Sequence, residues 1–194
     1  AMTGTGVRPE GITGLSAFTL SHAAGSHGEL TGVMVIKKYF ESIGEKRDTI
    51  LIPDSAHGTN PASVAMCGFR VKEVPSSPEG DIDFKKFTEM LDGSVAAMML
   101  TSPNTLGLFD RNILKIADEL HKNGSLFYGD GANLNATVGR ALFHDMGFDL
   151  MHINLHKTFS TPHGGGGHGS GPLGVAEHLV KFLPVPLVKK TDEG

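Results

Sequence analysis

Asp149-Leu-Met-His-Ile-Asn-Leu-His-Lys-Thr-Phe-Ser160 runs from an apolar stretch into Lys157, which stands between His156 and Thr158, and a glycine cluster, Gly164 to Gly167, follows. A short apolar run bounded by polar residues reads as a buried strand. Its far end is where open α/β sheets receive ligands. A lysine closing such a strand is expected to be shielded from water, and desolvation favours the neutral amine that attacks an aldehyde. Taken alone, Lys157 reads more readily as one more solvated surface charge.

A second stretch, Ser125-Leu-Phe-Tyr-Gly-Asp-Gly-Ala-Asn133, has the same form, an apolar run delivering Asp130 with Ala132 two positions on. A strand-end carboxylate often does no more than cap the next turn. Paired with a lysine that closes another strand, it suits pyridoxal phosphate: the carboxylate keeps the pyridine nitrogen protonated and the lysine holds the aldehyde. Ala132 is small enough to lie flat against a ring.

Outward from these two stretches, the chain alternates. Asp48 to Ile52 reads as a strand closed by Pro53, Gly68 to Val74 as a second and Val95 to Leu100 as a third. Leu30, Val33, Met34, Ile36 and Phe40 fall at helical spacing in a helix reaching Ile43. Small residues, including Gly25 and Ser26, lead into it, and such a helix start offers backbone N–H groups to an anion, although a plain entry loop reads the same. Asn60-Pro61 suits a helix start with proline at the first position. Asp83 opens an amphipathic helix with Phe84, Phe87, Met90 and Leu91 inward. Asp110 is expected to cap another, with Ile113, Leu114, Ile116, Ala117 and Leu120 on one face and Gly124 ending it. A strand or a pair of strands surrounds Lys157, and a last helix is expected near Val175 to Phe182. Strands alternating with helices at this spacing predict an α/β fold with a doubly wound, mostly parallel sheet.

Of the 194 residues, 39% are hydrophobic and 20% charged, ordinary for a globular domain. A net charge of −4 without a basic run argues against a nucleic-acid partner. No apolar run approaches the ~20 residues a membrane span needs. The lone Cys67 excludes an internal disulfide and suits a reducing compartment.

Asp54-Ser-Ala-His-Gly-Thr-Asn-Pro-Ala-Ser63, Tyr128-Gly-Asp-Gly-Ala-Asn-Leu-Asn-Ala136 and Asn154-Leu-His-Lys-Thr-Phe159 together resemble the glycine cleavage system P-protein family (glycine dehydrogenase, decarboxylating), nearest to subunit 2 of its two-subunit bacterial form. Ala23-Ala-Gly-Ser-His-Gly-Glu-Leu-Thr-Gly32 and Gly164 to Gly167 fit the same pattern. Ser21-His22 stands where Gln-Pro is expected, and His168 interrupts the glycine run. The resemblance implies a fold-type I, pyridoxal-phosphate-dependent transferase-like large domain over residues 1–182, with an entry arm at 1–14. Residues 183–194 would be an exit segment towards a C-terminal domain missing from the chain.

By that resemblance Lys157 forms a covalent aldimine with the cofactor, Asp130 pairs with its ring nitrogen, and His57 and Ala132 cover the two ring faces. Gly25, Ser26 and His27 contact the phosphate, His156 and Thr158 stand beside the lysine, and Thr105 and Asn104 reach the ring hydroxyl or the substrate. The implied reaction removes the carboxylate of glycine as CO2 and passes the aminomethyl group to the lipoyl arm of H-protein. The implied partners are a second subunit (subunit 1) and the carrier, with no membrane or nucleic acid, in the bacterial cytoplasm. No arginine falls in a matching motif to grip the glycine carboxylate, so the chain by itself is expected to be inactive. Two other readings of the chain are a catalytically silent interaction domain and a histidine-based metal site. His152, His156, His163 and His168 would supply the latter, but a strand separates His152 from His156 by about 13 Å.

Overall fold

A computed structural model describes residues 9–185; residues 1–8 of the expected entry arm (1–14) and 186–194 of the expected exit segment (183–194) lie outside the described residues. The strands are β1 (Ala17–Thr19), β2 (Thr49–Pro53), β3 (Arg70–Val74), β4 (Val95–Thr101), β5 (Leu126–Gly131), β6 (Leu150–Ile153) and β7 (Leu173–Val175). They form one sheet in the order β1-β7-β6-β5-β4-β2-β3. The strands from β3 through β6 in that sheet run parallel, and β7 lies antiparallel to both β6 and β1. The predicted mostly parallel α/β sheet is what the chain forms.

Every residue of β2, β4, β5 and β6 is buried, as expected of parallel strands covered on both faces. Side chains alternate between two cores: Met98, Leu100 and Phe127 face one, Ala97, Met99 and Tyr128 the other. The second core is closed by α2 (Gly25–Ile43), α3 (Thr59–Met66) and a 3-10 turn at Glu177–Phe182. The first is closed by α4 (Phe84–Met90) and α5 (Ile113–Lys122). Within it Phe127 and Phe148 stack with ring centres 4.0 Å apart.

Several local expectations shift. The part of the entry arm within the described residues contains a short helix, α1 (Pro9–Thr13), held by the Thr13 hydroxyl donating to the Pro9 carbonyl at 2.9 Å. Asp83 caps α4 as expected, accepting from the Lys86 amide at 3.0 Å. Asp110 does not cap α5; it accepts from the amides of Asn112 and Ile82, each at 2.8 Å, and ties the turn before the helix to the loop before α4. Leu114 is exposed, so the buried stripe of α5 is Ile113, Ile116, Ala117 and Leu120. Helix α3 begins at Thr59, which puts Pro61 at its third position and turns Asn60 into the protein. The expected last helix is a strand followed by the 3-10 turn. No helix among the described residues is long and apolar enough to cross a membrane.

Candidate active site

The chain leaves β2 towards β3 on one side and later returns to β4 on the other, so the strand order reverses at β2 and β4. Ligands bind beyond the carboxyl ends of strands at such a reversal. The loop after β2 carries His57, the loop after β4 carries Thr105, and β5 ends in Asp130. The Thr105 hydroxyl donates to the Ser55 carbonyl at 2.5 Å, tying the first two loops together.

Strand β6 ends at Ile153, and the chain turns at once into a single helical turn, α6 (Leu155–Thr158). Lys157 therefore stands on a helical turn beyond the strand, and it is exposed. This corrects the expectation of a lysine shielded at a strand end. The backbone takes its local hydrogen bonds from Asn154, whose carbonyl accepts from the amides of Lys157 and Thr158, and the turn lifts the amine out of the sheet into water. The Thr158 hydroxyl beside it is buried without a hydrogen-bond partner among the described residues.

Helix α2 starts against that turn. Glycine at 28 lets the helix approach so closely that a Cβ there would lie 2.6 Å from the Gly171 carbonyl and 2.9 Å from His152 Cβ. The amides of Gly169 and Gly171 bond to the carbonyls of Ala23 and His22, each at 3.0 Å, so the glycine-rich loop after Lys157 is tied to the segment leading into α2. Gly25 is buried, and Ser26 and His27 are exposed on the first turn, where N–H groups lack intrahelical partners. A Cβ on Gly171 would collide with the Ala24 carbonyl, a backbone atom that no rotamer change can move. Gly171→Ala is expected to cost about 1–3 kcal/mol through overpacking. A denaturant midpoint equal to the parent's would show that this contact relaxes freely.

Asp130 is almost completely buried. Its Oδ1 accepts from the Ala132 amide at 2.9 Å, and its Oδ2 accepts from Asn60 Nδ2 at 3.2 Å and the Thr101 hydroxyl at 3.1 Å. Burial alone would push the carboxyl upwards. The nearby His152 and these three donors outweigh it and hold Asp130 below the usual carboxylate range. His57 is exposed, with Nδ1 2.8 Å from the Thr59 hydroxyl and accepting from the Thr59 amide at 3.2 Å, so one edge of the ring is anchored and its faces stay accessible. Ala132 is half-buried.

The remaining predicted residues fall less simply. His156 stacks on His163 with ring centres 4.2 Å apart, and its Nδ1 accepts from the Ser170 amide at 3.3 Å. Its pKa is lowered by burial first, then by His163 and Lys157. Asn104 ties its own loop to the one before α4, donating to the Gly80 carbonyl and accepting from the amides of Leu106 and Leu108. The four histidines weighed as metal ligands do not converge: His152 is fully buried in β6, while His156 pairs with His163 outside the sheet. Among the described residues the triplet with metal-ligand spacing is Glu29, Asp130 and His152. Both Asp130 oxygens there already accept hydrogen bonds. Glu29, Asn60, Thr101 and Tyr128 are not among the site residues expected from the sequence, and His152 is weighed there only as a metal ligand. Of these, only Glu29 carried a local signal, a charged residue at a helical position later found to face inward.

The aminotransferase class-V family matches residues 28–167. The chain is 62% identical over 184 residues to the probable glycine dehydrogenase (decarboxylating) subunit 2 of Kosmotoga olearia, covering 94% of this chain and 38% of that protein. The protein of the same name from Thermus thermophilus is 56% identical over 185 residues, with coverage of 94% and 39%. The chain thus spans less than half the length of these curated relatives. Among solved structures, a glycine decarboxylase (P-protein) of the glycine cleavage system superposes with a TM-score of 0.74 at 22% identity, over 94% of this chain and 40% of that one. A sphingosine-1-phosphate lyase from Burkholderia pseudomallei superposes at 0.68 and 17% identity, over 86% and 39%. The resemblance read from the motifs is borne out by these relatives.

Proposed function

The chain belongs to the aminotransferase class-V family, and from that premise we propose that it is the pyridoxal-phosphate-binding domain of a glycine decarboxylase. The intact enzyme would release CO2 from glycine and pass the aminomethyl group to the lipoyl arm of H-protein, in company with a second subunit. The observation that carries this reading is one edge of the sheet. There a buried, hydrogen-bonded Asp130, an exposed Lys157, an exposed His57 ring and the open first turn of α2 all border the ends of parallel strands.

The residues present fit the cofactor. Ser26, His27 and the first N–H groups of α2 are unspent donors for a phosphate, and the helix dipole favours an anion there. The orphaned Thr158 hydroxyl adds hydrogen-bonding capacity beside Lys157. When bound, the cofactor supplies an electrophilic aldehyde and a ring that accepts the electron pair left by the departing carboxylate. Asp130 would hold the proton on the ring nitrogen, with Asn60, Thr101 and the Ala132 amide fixing its orientation. Lys157 would anchor the aldehyde and carry protons to and from it. His57 would cover one ring face and Ala132 the other.

A carboxylate clamp is a different matter. Arg47 pairs with Glu45 and the Val95 carbonyl at the opposite strand ends, and Arg70 pairs with Asp48 there too. Arg111 pairs with Asp81, and Arg140 lines a surface recess with Gly11, Ile12 and Asp145. Among the described residues no arginine makes a hydrogen bond or ion pair with Asp130, Lys157 or His57, and bidentate arginine is the usual carboxylate grip. Pyridoxal phosphate titrated into the chain should therefore give a visible absorption band, without exchange of the glycine carboxyl with bicarbonate when lipoylated H-protein is added. Absence of the band would overturn the assignment of the cofactor. Robust exchange by the chain, purified free of intact enzyme, would overturn the proposal that the clamp comes from elsewhere.

A further inference from the structure

Near Asp130 lies a second carboxylate that the proposed chemistry does not use. Glu29 belongs to the second turn of α2 and is buried, yet its Oε2 has no hydrogen-bond partner among the described residues. Between the two carboxylates stands the fully buried His152, with Nε2 3.2 Å from Asp130 Oδ1 and 3.7 Å from Glu29 Oε1. Neither approach is a well-aligned hydrogen bond, and Nε2 counts as unsatisfied. The other ring nitrogen, Nδ1, lies 2.9 Å from the hydroxyl of the fully buried Tyr128.

The position of the ring proton follows from its neighbours. Burial first, and then the charges of Glu29 and Asp130, push the Tyr128 phenol well above its ordinary value, so it keeps its hydrogen. Among the described residues His152 Nδ1 is the hydrogen-bond partner of that hydroxyl, and a protonated phenol can serve Nδ1 as donor or as acceptor. Nε2 faces acceptor oxygens of both Glu29 and Asp130, and it is this facing pair that calls for a hydrogen on Nε2. With a bare Nε2, two buried carboxylates would face a lone pair with no proton among the three groups, an arrangement of high cost. Glu29 reaches further: its Oε1 accepts from the Thr59 hydroxyl at 3.0 Å, and that hydroxyl lies 2.8 Å from His57 Nδ1. Through His152 and Thr59, one buried glutamate neighbours two of the side chains proposed to meet the cofactor, Asp130 and His57.

We infer that Glu29 and His152 form a buried positioning pair, holding a hydrogen between Glu29 and Asp130 and thereby fixing Asp130 as the oriented anion under the ring nitrogen. The inference rests on the proposed reading of Asp130. A structural role alone would be served by an uncharged side chain at position 29, since a glutamine oxygen accepts from Thr59 equally well. The pair acts through Asp130 and touches no reacting atom.

Two arms test it on the 194-residue chain. In the cofactor-free chain, nuclear magnetic resonance should show a slowly exchanging, strongly downfield imidazole N–H. It should be lost in His152→Gln and moved upfield in Glu29→Gln. In the loaded chain, with cofactor isotopically labelled at the ring nitrogen, the nitrogen resonance should shift towards unprotonated pyridine in Glu29→Gln and in His152→Gln. Absence of the downfield resonance from the native chain overturns the inference, and that arm requires neither a variant nor cofactor binding. An unchanged ring-nitrogen signal in a folded Glu29→Gln chain overturns it as well. Failure of the cofactor to bind, with the downfield resonance present and responsive to Glu29→Gln, counts against the cofactor site while leaving the bridging hydrogen established.

Discussion

Lys157→Ala should yield a folded chain to which borohydride no longer fixes pyridoxal phosphate. The parent chain should retain the label on a peptide containing residue 157. Folding is expected to survive because Lys157 is exposed on the turn of α6, and its amine makes no hydrogen bond or ion pair among the described residues. Surface changes away from packing features are usually within about 0.5 kcal/mol. The phosphate donors on α2 are untouched, so the cofactor should still bind reversibly, more weakly. In the intact enzyme, loss of the amine placed at the site should lower glycine turnover on the order of 10³-fold, within the range for a positioned proton-transfer group. Label retained by the Lys157→Ala chain would show that a different lysine meets the aldehyde.

Asp130→Asn should separate binding from chemistry. The side chain sits at the end of β5 with donors on both oxygens, from Ala132, Asn60 and Thr101. An asparagine must turn its NH2 towards one of these sets, setting donor against donor in a buried site. A mispaired buried polar group costs about 1–3 kcal/mol, so the variant should fold with a lower denaturation midpoint. The larger effect is electrostatic. An amide cannot keep the ring nitrogen protonated, and removing one preorganised group facing developing charge typically costs about 10²–10³ in kcat. Cofactor affinity should change far less, because in the proposed arrangement the first turn of α2 would hold the phosphate. Glycine turnover by the intact enzyme close to the parent rate would rule out Asp130 as the partner of the ring nitrogen.

How far these residues could be read in advance divides along a physical line. The apolar runs before Asp130 and Lys157, the helical spacing of Leu30 to Phe40 and the Asp83 cap are encoded by neighbours within a few positions. Each was legible because strand and helix periods are local properties of the chain. The doubly wound parallel sheet followed from the alternation of those periods. His57, Asp130, Ala132 and Lys157 were singled out because each stands in a polar cluster directly after an apolar run, and that is a pattern in the sequence itself.

The exposure of Lys157 was not of that kind. Whether the chain continues as strand or turns into α6 after Ile153 depends on Asn154 closing a turn against the start of α2, more than a hundred residues earlier in the chain. Nor was Leu114 legible as exposed, since the apolar stripe of α5 is wider than the surface it covers. The network around Asp130 lay furthest out of reach. Glu29, Asn60, Thr101, Tyr128 and His152 come from α2, α3, β4, β5 and β6, and each is locally an ordinary polar or aromatic residue. Sequence alone determined which segments form strands and which loops end them in reactive groups, because that information is carried by the two short periods of the backbone. Tertiary structure alone decided which of those groups face water and which buried side chains support them. Both depend on the order in which strands lie side by side and on how closely a glycine-lined helix can approach the sheet.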